Sequence, residues 1–157
     1  MVILSDYSQN LEWCKSKGLK NISPSYEIAK EYLKSVEETI RVIDLIKDSG
    51  SNLWIATLKY YAEYFLACAL LMRFGIKSDI HECTLKVISA FEKIGILNFS
   101  FSKILEKDKE LRIENQYYLK NIKVNLDVKS ISKLMIHVRE IIDSVKGDEA
   151  DDLKKLL

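Results

Sequence analysis

Arg73, Lys77 and His81, with Ser78 and Asp79 between them, are the residues of this chain whose types and spacing best suit chemistry. Gly75 ends a long apolar run just before them, so the basic stretch that follows reads as a loop and His81 falls in the first turn of the next helix. Free N–H groups and the helix dipole at such an end favour phosphate or another anion. Metal-free RNA cleavage needs a base for the ribose 2′-hydroxyl proton and a cation for the scissile phosphate. His81 fits the first role and Arg73 the second, with Lys77 and Ser78 as further phosphate contacts. The plainer reading of the same residues is a half-exposed helix start flanked by ordinary loop cations.

Arg112 is a second ligand-facing cation, followed by Tyr117; its alternative is a structural bridge to Glu82 or Glu92. His137 and Arg139 lie in a later helix, where His137 reads as a solvated or packing residue. The chain carries no Gly-rich phosphate loop, no HExxH, no GxSxG and no EF-hand pattern. Its two histidines lack ExxH spacing, and Met72 and Met135 sit among leucines and isoleucines as core filler. Neither a metal site nor a cofactor is expected.

The elements that position these residues are helical. A single Pro and five Gly in 157 residues leave too few turns for an all-β chain. Lys+Arg of 24 against Asp+Glu of 23 gives a formal charge of +1, so no global field draws the chain to nucleic acid or an acidic membrane. Three cysteines, odd in number and without CxxC spacing, read as free thiols of a reducing, cytoplasmic protein. The first ten residues lack the pattern of a signal peptide. The longest uncharged run of the central helix, Tyr64 to Met72, is far short of the roughly 20 residues that span a bilayer, so no membrane is expected.

Periodicity predicts a short helix from about Asp6 to Ser16, with Trp13 against the main body, and then a long amphipathic helix opened by Ser23-Pro24 and ending at 48–50. Ser51 or Asn52 caps the second long helix, which is apolar around most of its circumference up to Phe74 and belongs in the middle. Gly50 leaves so short a connection that these two helices form an antiparallel hairpin. A third helix spans Ile80 to Ile94. The fourth runs from about Ser102 to Asn121, with Glu106 to Glu110 as a solvated face, and the fifth from Asp127 to Lys146. The expected architecture is an all-α, up-and-down bundle of about five helices over residues 23–146, with the central helix under the first, third and fifth. Residues 1–22 form an extension packed on the bundle, and residues 147–157 a charged tail with too little apolar surface to be fixed.

Tyr60-Tyr61-Ala62, then Phe65, Ala67, Ala69, Leu70 and Leu71, then Gly75-Ile76-Lys77-Ser78 and His81 resemble the HEPN domain family, whose second helix reads YYAxF before a glycine, a basic loop and a histidine. Ser23-Pro24-Ser25 looks like that family's helix start, and Leu111-Arg112 with Tyr117-Tyr118 like its later arginine-to-tyrosine segment. The resemblance covers roughly residues 10–146. It implies a helical homodimer in a family of metal-independent ribonucleases, toxins and proteins that accompany small nucleotidyltransferases. Catalytic members have an arginine, usually followed by a polar residue, with four to six residues before a histidine. Here Phe74 follows Arg73 and seven residues intervene before His81.

The resemblance therefore implies a nucleotide- or RNA-associated accessory protein, the partner of a small nucleotidyltransferase in a toxin–antitoxin-like module. The alternatives are a metal-independent endoribonuclease using His81 and Arg73, and a non-catalytic dimerisation scaffold.

Overall fold

A computed structural model describes residues 4–155. Among them the chain is mostly helical: α1 Leu4–Lys17, α2 Tyr26–Ile46, α3 Asn52–Arg73, α4 His81–Lys93, α5 Phe101–Gln116, α6 Val128–Ser144 and α7 Gly147–Lys154. A two-stranded antiparallel sheet, β1 Leu19–Asn21 and β2 Ile76–Ser78, completes it. The all-α expectation holds, with seven helices in place of about five. The first three and last two residues of the expected extension and tail lie outside the described residues.

Because α3 is apolar on nearly every side, its neighbours must surround it. Tyr60, Leu66, Ala67, Leu70 and Leu71 are wholly or almost wholly buried, and each of the leucines contributes about 1.5–3 kcal/mol on burial. The start of α2 meets the end of α3, where Ser25 donates its backbone N–H to Met72 at 3.0 Å, so the two helices form the expected antiparallel hairpin. The most extensive packing on α3 comes from α2 and then α5. The second of these differs from the expected cover, because α5 is not only a charged outer helix. Asp108 in its middle is 3% exposed and pairs with Lys59 of α3. The alternating charge run therefore turns one carboxylate inward.

Helix ends follow local chemistry. Ser25, rather than Ser23, caps α2 by accepting the Ile28 N–H, so Pro24 precedes the cap instead of filling the first turn. Ser51 caps α3 and Asp127 caps α6. The α5 helix stops five residues early because the buried Asn115 side chain accepts the Ile122 N–H and donates to the Ile122 carbonyl, folding the chain back. Leu119 and Asn121 take left-handed conformations in that fold. Asn52 then holds the returning chain through Asn121 and Val124.

The expected basic loop after Gly75 is instead β2, paired with β1 in the register Leu19 to Ser78, Lys20 to Lys77 and Asn21 to Ile76. Gly75 is required there. Its φ is 74°, and a Cβ would collide with the Ile22 carbonyl oxygen. Gly18 is also crowded, since a Cβ would lie 2.8 Å from Cys83 Sγ.

That sulfur belongs to a disulfide. Cys14 and Cys83 are fully buried and bonded, with their Cα atoms 5.5 Å apart, and tie α1 to the first turn of α4. The expectation of three free thiols holds only for Cys68. Cys14 faces inward while Trp13, expected on the main body, is 53% exposed. Within the charged tail, Gly147–Lys154 forms the helix α7. Ala150 of α7 is fully buried, and Lys154 donates to the Ile22 carbonyl at 3.0 Å. Among the described residues only α3 is long and apolar enough to cross a membrane, and 72% of its apolar window is buried inside the bundle.

Closing a loop of 69 residues, the disulfide restricts the unfolded chain strongly. Reduction, or Cys14→Ser, is expected to lower the unfolding free energy by about 4 kcal/mol. Urea melts with and without reductant measure this, and an unchanged midpoint would show that the bond contributes nothing.

Candidate functional site

The structure separates Arg73 from His81. At the end of α3, Arg73 donates from Nε to the Ile142 carbonyl at 2.9 Å and from its terminal nitrogen to the Val145 carbonyl. These are unsatisfied acceptors at the C-terminus of α6, where a cation is favoured by the helix dipole. The guanidinium also lies 5.7 Å from the Tyr26 ring centre. Tyr26 in turn donates its hydroxyl to Asp143 at 2.7 Å. Arg73 thus fastens α6 to the α2–α3 hairpin.

His81 lies against a different part of α3. Its Nδ1 is 3.0 Å from the Tyr60 hydroxyl, and its ring stacks on Tyr64 with centroids 4.1 Å apart. Tyr60 precedes Arg73 by roughly 20 Å of helix at the α-helical rise, so no single phosphate oxygen reaches both Arg73 and His81. Lys77 is exposed on β2, opposite Lys20. Ser78 donates to the Ile80 carbonyl and accepts from Thr84, which commits it to the entry of α4.

The cation beside His81 is Arg112 of α5. Its guanidinium carbon sits 4.8 Å from the Tyr60 ring centre and 5.7 Å from that of Tyr61, a cation–π arrangement. One terminal nitrogen reaches the Tyr61 hydroxyl only at 3.5 Å, and its buried Nε has no partner. Among the described residues no carboxylate pairs with Arg112. Of the expected alternatives, Glu82 takes Lys109 at 2.8 Å, and Glu92 takes the Ser102 N–H and hydroxyl at the start of α5. His137, with its side chain 61% exposed, has the solvated role expected of it.

Burial, Arg112 and Lys109, in that order, hold the His81 pKa below the usual imidazole value, so the ring is neutral at pH 7. Burial raises the Tyr60 phenol to about 12, so it keeps its proton. Tyr60 is fully buried with this one side-chain partner, and its O–H satisfies itself by donating to Nδ1. Assigned from that network, the imidazole proton lies on Nε2. His81 Nε2–H and the Arg112 guanidinium therefore form two donor groups on a shelf of tyrosines. The arrangement suits an anionic oxygen better than it suits proton abstraction by His81.

A second polar cluster lies where α3, α5 and α6 meet. Lys59 pairs with Asp108 and, at 3.4 Å, with Glu63, which is only 2% exposed. Burial is the first cause that pushes the Glu63 carboxyl up to about 9, and a hydrogen bond with Asp108 the second; Lys59 only partly opposes them. Glu63 therefore keeps its proton at pH 7. In the amino-acid sequence it carries no signal beyond that of one charge on an apolar helix.

Comparison with protein-family models, curated proteins and solved structures found no match to this chain.

Two titrations test these environments. In an NMR titration His81 is expected to titrate below the usual imidazole value, and Arg112→Ala should move it upward by removing a nearby cation; an unmoved value would place the guanidinium elsewhere. Glu63 binds a proton in the folded state between its unfolded value of 4.5 and about 9. Stability should therefore fall as pH rises across that window, with a limiting slope of about 1.4 kcal/mol per pH unit. Urea unfolding of Glu63→Gln from pH 5 to 9 should show this contribution removed.

Proposed function

We propose that this chain is a HEPN-like, nucleotide- or RNA-associated accessory protein that holds a ligand phosphate between Arg112 and His81. The observation that carries the reading is the Arg112 guanidinium: among the described residues no carboxylate neutralises it and its Nε lacks a partner, and it stands beside a neutral imidazole that presents an N–H. Charge-assisted hydrogen bonds to phosphate are the interactions such donors are short of. Tyr60 and Tyr61, which begin the stretch resembling the HEPN family, are also the aromatic faces under Arg112. The family resemblance and the donor geometry thus draw on the same residues.

The resemblance further supports a cytoplasmic homodimer acting as partner of a small nucleotidyltransferase in a toxin–antitoxin-like module. The endoribonuclease alternative requires His81 to take a proton. Tyr60 occupies Nδ1 and the ring proton sits on Nε2, so this geometry favours binding over cleavage. Arg73, in its place at the end of α6, contributes stability to either reading.

Titration calorimetry with ATP and with a short 5′-phosphorylated oligoribonucleotide tests the proposal. Arg112→Ala should weaken binding at least about tenfold, the loss of one charge-assisted hydrogen bond. Arg73→Ala should leave affinity nearly unchanged while lowering the melting temperature. Equal binding by wild type and Arg112→Ala, or no binding by wild type, would overturn the phosphate assignment.

A further inference from the structure

Glu63 and Asp108 are two carboxyl groups, 2% and 3% exposed, brought together from α3 and α5. Lys59, with a side chain 17% exposed, is the one ammonium paired with them. When both carboxyls are ionised the cluster lacks one positive charge. Isolated buried charge is costly, and the cluster avoids it by keeping a proton on Glu63. A proton is a poor filler of space, however. Among the described residues no N–H or O–H group donates to the buried Oε2 of Glu63, and Glu63 lines a cavity of about 230 Å³.

The cavity wall has two chemistries. Lys59, Glu63, Asp108 and Ser130 supply polar groups, and Ile104, Ile131 and Leu134 an apolar side. Lys107 lines the cavity from an exposed position and makes no ion pair with either carboxyl among the described residues. From α6 the polar neighbour is Ser130, whose hydroxyl donates to Asp127 and leaves its oxygen able to accept. Apart from Lys107, the charged groups facing Glu63 are Lys59 of its own helix and Asp108 of α5. Tyr60, one turn earlier on α3, also senses its charge. The volume is below that of pockets for drug-sized ligands.

We propose that this cavity binds a small alkylammonium ion, its N–H groups taken by Glu63 and Asp108 and its short aliphatic body by Ile104, Ile131 and Leu134. The bound cation takes the place of the proton on Glu63, which leaves to solvent. Charge then balances, two carboxylates against Lys59 and the ligand. A divalent metal fits less well, because Lys59 already occupies the carboxylates and no group of three metal-ligating side chains is present among the described residues.

The site is independent of the phosphate cluster at Arg112, so it stands or falls separately. Calorimetry with n-propylammonium chloride, run at pH 7.5 in phosphate and in HEPES, reads both binding and proton release. The expected result is millimolar binding with close to one proton released, and affinity rising about tenfold per pH unit between pH 6 and 8. Sodium chloride and n-propanol should not bind. Glu63→Gln should lose the proton release and at least tenfold in affinity, and Asp108→Asn serves as the second variant if that protein fails to fold. No binding by wild type, equal binding of n-propanol, or binding without proton release would each overturn the proposal.

Discussion

The whole bundle depends on covering α3. A helix that is apolar around its circumference gains free energy from every side that is closed against water, and α2, α5, α6 and α4 supply those sides in decreasing or comparable measure. The same constraint fixes what happens to its few polar side chains. Lys59, Tyr60, Glu63 and Tyr64 cannot all reach solvent, so each must find a partner from a covering helix or change its protonation. Asp108 answers Lys59, His81 answers Tyr60, Thr84 answers Tyr64, and Glu63 retains a proton. Both polar sites of the molecule are consequences of burying one helix that is not entirely apolar.

Much of this was legible in the chain and some was not, for physical reasons. The α2, α3 and α6 helices announce themselves through period and capping residues, because those are local interactions. The ends of α5 and the strands β1 and β2 depend on partners far along the chain. Asn115 shortens α5 only because Ile122 returns to it, and β2 is a strand only because residues 19–21 lie beside it. The Cys14–Cys83 bond is a contact of the same kind, across 69 residues of sequence. No local pattern encodes it.

The candidate site shows the same division. His81 was recognisable from its position at a helix start, and Arg112 from its charge and its tyrosine neighbours. By sequence proximity alone Arg73 is the nearest cation before the His81 loop. In the fold, the turn at Gly75 and the extended strand β2 carry the chain away from the end of α3 before His81 opens α4, while α5 brings Arg112 back beside it. The carbonyls at the end of α6 provide Arg73 with acceptors that compete with any ligand role. An arginine that satisfies a helix terminus has few donors left, whereas one held on tyrosine faces keeps its hydrogen-bonding capacity in reserve.

Within one turn of α3, Tyr60 and Glu63 lead to sites of opposite character. Tyr60 joins a cluster with a surplus cation, Arg112, and Glu63 a cluster with a surplus acid. In each the surplus is tolerated by a neutral group: the imidazole of His81 adds no charge beside Arg112, and protonated Glu63 adds none beside Asp108. Charge added to either cluster is therefore felt through a low-dielectric wall. A ligand anion at Arg112 removes one of the influences that keep His81 neutral, and a ligand cation at Glu63 removes the reason for its proton. Any ligand charge bound at the two proposed sites would for that reason be linked to proton uptake or release, a property that follows from burying the central helix and not from the identity of either ligand.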